Sequence, residues 1–177
     1  MKNKKTSKDK AFNAYKFERV NIMINQENKN QKRICSFFAS DYHFEMISLP
    51  FIEKELEDEK KIIVFTENNL DNTIEKVLKN INLKEEKKNK IKKLDWKSET
   101  NLKLQELKNC KDSQEMVVFI KGGESYIQSM NQKLDEIISN KNVKIIDCYD
   151  INQMNVDLTD VAQNYSEVLN TMGKMEL

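Results

Sequence analysis

The chain has 177 residues, of which 33% are charged and 38% hydrophobic, with a formal net charge of +1. That length suits one domain, or one domain with a short appendage, and buries a core without disulfide staples. The near-zero charge argues against a polybasic nucleic-acid binder, and no apolar run approaches the roughly 18 to 20 residues of a membrane span.

Residues 1–10 (MKNKKTSKDK) are basic and polar, with no apolar run after them, so no secretory signal is expected. Residues 1–31 read as a basic, partly disordered extension, within which Phe17, Val20, Ile22 and Ile24 could line one side of a short helix or strand. The remaining 32–177 read as one domain.

The regular pattern begins at Ile34–Ala39 (ICSFFA), a short apolar run that suits a buried strand. Asp41 is placed to cap a helix from Tyr42 to about Glu59, whose apolar positions recur at helical spacing. Pro50 falls inside it and predicts a kink or a fresh start near Ser48. Lys61–Thr66 (KIIVFT) is a second buried strand, and Leu70–Ile81 an amphipathic helix. Lys84–Lys93 is a charge run that reads as a solvated helix face or loop. Leu94–Ser98 suggests a short strand with Trp96 inward, and Leu102, Leu104 and Leu107 a short helix.

Met116–Lys121 (MVVFIK) is the third strong strand, ended by Gly122 and Gly123, with a helix over Glu124–Ser139. Val143–Cys148 is the fourth, and Leu158–Met172 reads as a closing helix through Val161, Tyr165, Val168 and Leu169. Alternating strands and helices, with strands as continuous apolar runs, require both sheet faces to be covered. The expected fold is α/β: a three-layer α/β/α sandwich with a mainly parallel central sheet.

The chain has three glycines, Gly122, Gly123 and Gly173, so neither a GxxxxGK[ST] phosphate loop nor a GxGxxG fingerprint can be written. The turn Gly122-Gly123-Glu124-Ser125 follows a buried strand and opens a helix, where free amides and the helix dipole favour a small anionic or polar ligand. It equally suits a tight turn with Glu124 near the helix start. Tyr149 and Asp150, at the end of the last strong strand, complete the candidate ligand site, though Asp150-Ile151-Asn152 also suits a local turn. Three cysteines at wide spacing, with no CxxC and one histidine, argue against a disulfide framework and a structural zinc site. Asp147, Asp150 and Asp157 do not make an expected Mg²⁺ site, and no metal or cofactor is predicted. Cys35 and Cys148 lie in strands, where cysteine behaves as a small hydrophobe. His43 lacks a visible nucleophile and orienting group, so catalysis is not expected.

Several segments together resemble the MEDS domain, the methanogen/methylotroph DcmR-type sensory domain. Ile34–Asn68 resembles its opening: Cys35, Phe37 and Phe38 match a strand of the form HICxFY, Pro50, Phe51 and Ile52 the helix centre, and Leu56 and Glu59 the helix end. Val117–Tyr126 resembles the strand with a GE turn, and Ile145–Met154 with Tyr165–Thr171 the CxYD strand and closing helix. Arg33 stands where that family often has His, Glu55 where it often has Gly, Lys121 near a common Arg, and Tyr165 in place of the closing-helix His. The stretch 94–114 is shorter than usual.

The resemblance implies a RecA/KaiC-like fold without its phosphate loop. It also implies a non-enzymatic sensory or regulatory role in bacterial or archaeal signal transduction or transcription control. Such a domain would be cytoplasmic and would act through a protein partner or a homodimer, with a small-molecule ligand and no membrane. Residues 1–31 are too short for a complete DNA-binding module, so no direct nucleic-acid contact is expected. The alternative is a small-molecule or nucleotide-binding protein of degenerate RecA-like fold, without hydrolysis.

Overall fold

The computed structural model describes residues 31–177. Of the expected N-terminal extension, residues 1–30, with the Phe17–Ile24 pattern, lie outside the described residues, and Gln31 is the first residue of β1. The chain runs β1 (Gln31–Phe38), α1 (Asp41–Glu57), β2 (Lys61–Thr66), α2 (Asp71–Asn80), α3 (Glu85–Lys92) and α4 (Asn101–Asn109). It continues through β3 (Met116–Gly122), α5 (Glu124–Ile138), β4 (Val143–Asp150), a 3₁₀ turn (Ile151–Gln153), α6 (Leu158–Ala162), β5 (Glu167–Asn170) and β6 (Gly173–Glu176).

The strands form one six-stranded sheet in the order β2-β3-β4-β1-β5-β6. Every pairing is parallel except β5–β6, so the expected α/β sandwich with a mainly parallel sheet is the fold observed. Alternate residues of the strands feed two cores. Ile34, Phe38, Val64, Phe119 and Ile146 pack beneath α1, α2 and α3. Cys35, Phe65, Val118, Ile120 and Ile145 pack against Leu107 of α4 and Ile127, Met130 and Leu134 of α5. All seven residues of β3 are buried, which is why the strands read as unbroken apolar runs.

Four local expectations are corrected. Ser40, not Asp41, caps α1: its Oγ accepts the His43 N–H at 3.1 Å, and Asp41 opens the first turn. Of the kink or fresh start expected at Pro50, the fresh start is absent, since one helix runs from Asp41 to Glu57; Pro50 lies on the exposed face, where water can satisfy the carbonyl it leaves without a donor. Leu94–Ser98 is not a strand. Trp96 does turn inward, but from an irregular segment crossing the outer side of β2. The closing helix over Leu158–Met172 is replaced by the short α6 and the β5–β6 hairpin. Its apolar residues are divided between these elements: Val161 in α6, Tyr165 in the connection, Val168 and Leu169 on opposite faces of β5. The chain reverses at Gly173, whose φ of 104° disfavours other residues.

Near its C-terminal end, α1 is joined to β4 through Glu55. This buried carboxylate accepts from Lys144 at 2.7 Å and Lys60 at 2.8 Å, and the Lys144 ammonium lies 5.3 Å from the Phe51 ring centre. Burial pushes the Glu55 carboxyl up, but the two lysines outweigh it and hold it below its usual range. Glu55→Gln is expected to cost about 2 kcal/mol at neutral pH. Because the folded carboxyl titrates below the unfolded one, that contribution is present above the usual carboxylate range and is lost as pH falls through the folded value. Urea unfolding of both proteins at pH 7 and pH 3 should show the gap close in acid; a constant gap would exclude the ion pairs as its source.

Candidate functional site at the carboxyl ends of the strands

Chain connections diverge at β1 and β4. From β1 the chain crosses to the far edge of the sheet at β2, while from β4 it passes β1 to reach β5. Open α/β sheets place ligands outside the carboxyl ends of strands at such a switch point. Three turns meet there: β1–α1, β3–α5, and the 3₁₀ turn after β4.

The turns are tied together by short polar side chains. Asp150 accepts the Asn152 N–H at 3.0 Å, giving the local turn foreseen from Asp150-Ile151-Asn152. The Asn152 amide also donates to the Ala39 carbonyl at 3.0 Å, and His43 Nδ1 accepts the Ala39 N–H at 3.2 Å. His43 therefore holds the turn that starts α1.

In the β3–α5 turn, Gly123 is the N-cap residue of α5, and its N–H donates to Glu67 Oε2 at 2.9 Å. A Cβ on Gly122 would lie 2.7 Å from Tyr126 Cδ1 and 2.8 Å from Glu67 Oε2; one on Gly123 would lie 2.8 Å from Gln153 Oε1. The Tyr126 ring therefore leaves no room for a side chain at Gly122, whereas at Gly123 the nearest atom is the end of the flexible Gln153 side chain, which can shift. Gln153 donates in turn to Asp150 Oδ2 at 2.9 Å. Glu124 accepts from Gln128 at 3.1 Å on the first turns of α5, and Ser125 is exposed. Gly122, Gly123, Glu124, Ser125 and Asp150 therefore gather at this rim. Tyr149 turns the other way, into the layer beneath α5, stacked on Phe37 with ring centres 5.8 Å apart.

Sequence reasoning noted Lys121 as a departure from the family pattern and Asp41 as a cap, and did not place Glu45 or Glu67 at this rim. Lys121, the penultimate residue of β3, is buried; its ammonium meets Asp41 at 2.7 Å and lies 4.7 Å and 5.4 Å from the Phe38 and Phe44 ring centres. Glu45 is 2% exposed, and its Oε1 has no hydrogen-bond partner among the described residues. Burial pushes its carboxyl up, against the opposing effect of Thr73 beside it. The available signal was charge at strand ends: Lys121 and Glu67 each close an apolar run, where a charged side chain can reach the rim.

The opposite face carries a second polar group. Asp147 is fully buried and accepts from Tyr165 Oη at 2.7 Å and Asn131 Nδ2 at 3.1 Å, with Arg33 at 3.7 Å. The Tyr149 and Tyr165 hydroxyls are 2.7 Å apart, and Arg33 also meets Asp135 at 2.5 Å. Burial pushes the Asp147 carboxyl up, opposed by Arg33, Tyr165 and Asn131. Asp157, by contrast, caps α6, accepting the Thr159 N–H at 2.8 Å. Asp147, Asp150 and Asp157 are thus engaged separately, and among the described residues no three His, Cys, Asp or Glu side chains are grouped to hold a metal ion. Burial raises the Cys35 thiol to about 11 and the Cys148 thiol higher, opposite to the activation a nucleophilic thiolate needs.

Arg33, Glu55, Lys121 and Tyr165 all carry contacts. Arg33 and Tyr165 share Asp147, Glu55 holds Lys60 and Lys144, and Lys121 holds Asp41. No family model, curated protein or solved structure matches the chain. Among the described residues no helix is long and apolar enough to cross a membrane.

Proposed function

We propose that the chain is a non-enzymatic sensory or regulatory domain that signals through a protein partner, with a small anionic ligand at the Gly122–Ser125 turn. One observation carries this reading: the turn already holds an anion, the Glu67 carboxylate on the Gly123 N–H. A competing phosphate or carboxylate would displace Glu67 from the start of α5, where the helix dipole favours negative charge.

Displacement would be felt beyond the turn. Gln153 fills the space over Gly123 and is bound to Asp150; Asp150 holds Asn152, and Asn152 holds the β1–α1 turn at Ala39. A ligand that moves Gln153 thereby biases the start of α1, which a partner could read. The ligand shifts that equilibrium only by its difference in affinity for the two arrangements. The MEDS-like segments, with the sheet-and-helix fold that the resemblance implies, support the regulatory role.

The test is a titration with inorganic phosphate followed by the amide resonances of Gly122–Ser125. Removing the internal competitor's charge with Glu67→Gln should lower the phosphate concentration at which the Gly123 amide shifts, by about tenfold if the lost competition is near 1.4 kcal/mol. Neither protein responding at the turn, or both responding at the same concentration, would overturn the proposed site.

A further inference from the structure

The open edge of β6 has a hydrogen-bonding pattern and a charge order that fit a second copy of the same strand. Among the described residues β6 pairs on one side only, with β5. The hairpin closes on the Asn170–Gly173 pair through a two-residue loop, Thr171 and Met172. In such a hairpin the closing pair exchanges its backbone hydrogen bonds, and the pattern alternates along the ladder. Gly173 and Met175 therefore direct their amides toward β5. Leu177 keeps that phase, its N–H reaching the Ser166 carbonyl at 3.0 Å. Lys174 and Glu176 direct theirs outward, to the open edge.

An antiparallel copy can bring these outward groups opposite each other in three two-fold registers. Two place like charges face to face: Lys174 on the partner's Lys174, or Glu176 on the partner's Glu176. Directly opposed like charges destabilise a strand pair and opposite charges stabilise it. The third register places Lys174 opposite the partner's Glu176 twice over, with Met175 on the two-fold axis against the partner's Met175. In that register Leu177 falls opposite the partner's Gly173, which has no side chain to obstruct it. Met175 is 44% exposed and Leu177 61%, so both have apolar surface left to cover.

We propose that the chain forms a two-fold dimer through β6, antiparallel and centred on Met175, which joins the two sheets into one. Such an interface is isologous, with each strand supplying the same donors, acceptors and charges. It also covers an edge that would otherwise be open to unselective pairing. Lys174 already meets Glu167 at 2.9 Å, and an ammonium with three donors serves both carboxylates. The proposal names a partner for this chain and stands without the ligand site.

The experiment is sedimentation equilibrium of the full chain over a wide concentration range, with circular dichroism as the control for folding. The wild type should dimerise in a concentration-dependent way. Lys174→Glu and Glu176→Lys each place like charges at both cross-strand positions, and each should weaken the dimer at least tenfold. The double exchange Lys174→Glu with Glu176→Lys restores the pairing with its signs reversed, and should restore the dimer. An equimolar mixture of the two single variants should form a heterodimer. A wild type that stays monomeric, or a dimer unchanged by either single variant, overturns the interface. A dimer weakened by the single variants and not recovered by the double exchange overturns the register.

Discussion

Asp147→Ala is expected to lower the unfolding free energy by about 4 kcal/mol, while Asp147→Asn changes it by less than about 1 kcal/mol. Alanine leaves the Asn131 amide without its acceptor and the Tyr165 hydroxyl with the Tyr149 hydroxyl, 2.7 Å away, in place of a carboxylate. Asparagine keeps an oxygen for Tyr165. Its new N–H₂ meets a group able to turn: Asn131 Oδ1 is buried without a partner, and rotating that amide makes it the acceptor. Arg33, partly exposed, retains Asp135 in either variant.

The pH dependence separates charge from packing. Burial raises the folded Asp147 carboxyl above its unfolded value, so the folded state takes up the proton first. The stability tied to Asp147 is therefore greatest below the usual carboxylate range and is lost as pH rises toward the folded value. Asp147→Asn lacks this titration, so its stability relative to wild type should rise across that window. Denaturant unfolding at several pH values from 3 to about 8 reads both effects. Alanine and asparagine costing the same would remove the acceptor argument, and a pH-independent difference would remove the raised carboxyl.

The four long strands were legible because a parallel strand under two helix layers is mostly apolar through its middle, as in Ile62–Phe65 of β2 and Met116–Ile120 of β3. The β5–β6 hairpin was not. A four-residue strand offers two residues to each face, too few to establish a period of two. Val161, Tyr165, Val168 and Leu169 also match helical spacing, although they come from three different pieces of chain. The signal against a long helix was the Asn170–Gly173 bracket, with glycine at the reversal. At the rim, the glycine turn was legible from composition alone. Its occupants were not: Glu67 and Gln153 lie far from Gly123 in sequence, and what brings them together is strand order. Glu45 was hidden differently. It belongs to an amphipathic pattern as an interrupting charge, and charged residues so rarely lie fully buried that the pattern assigns it to solvent.

Trp96→Ala is expected to cost about 3–5 kcal/mol and to loosen β2 before the rest of the sheet. The indole is 1% exposed, and its N–H donates to the Ile91 carbonyl at 3.0 Å, fastening the end of α3. Its backbone carbonyl accepts from the Leu70 N–H at 3.0 Å and the Thr66 hydroxyl at 3.4 Å, at the carboxyl end of β2. Lys103, from the same side, donates to the Val64 carbonyl at 2.7 Å. That carbonyl faces away from β3, so a buried lysine and an irregular segment together close this edge of the sheet. Removing the indole leaves a large void under the segment and no anchor for it. Ile62–Thr66 should then exchange backbone hydrogens faster than β4, which is paired on both sides. Trp96→Phe fills most of the space but forgoes the bond to Ile91, and should cost less, about 1–2 kcal/mol. Hydrogen exchange that rises equally in β2 and β4 would show that Trp96 supports the domain as a whole; selective loss at β2 would show that it holds the cover on this edge.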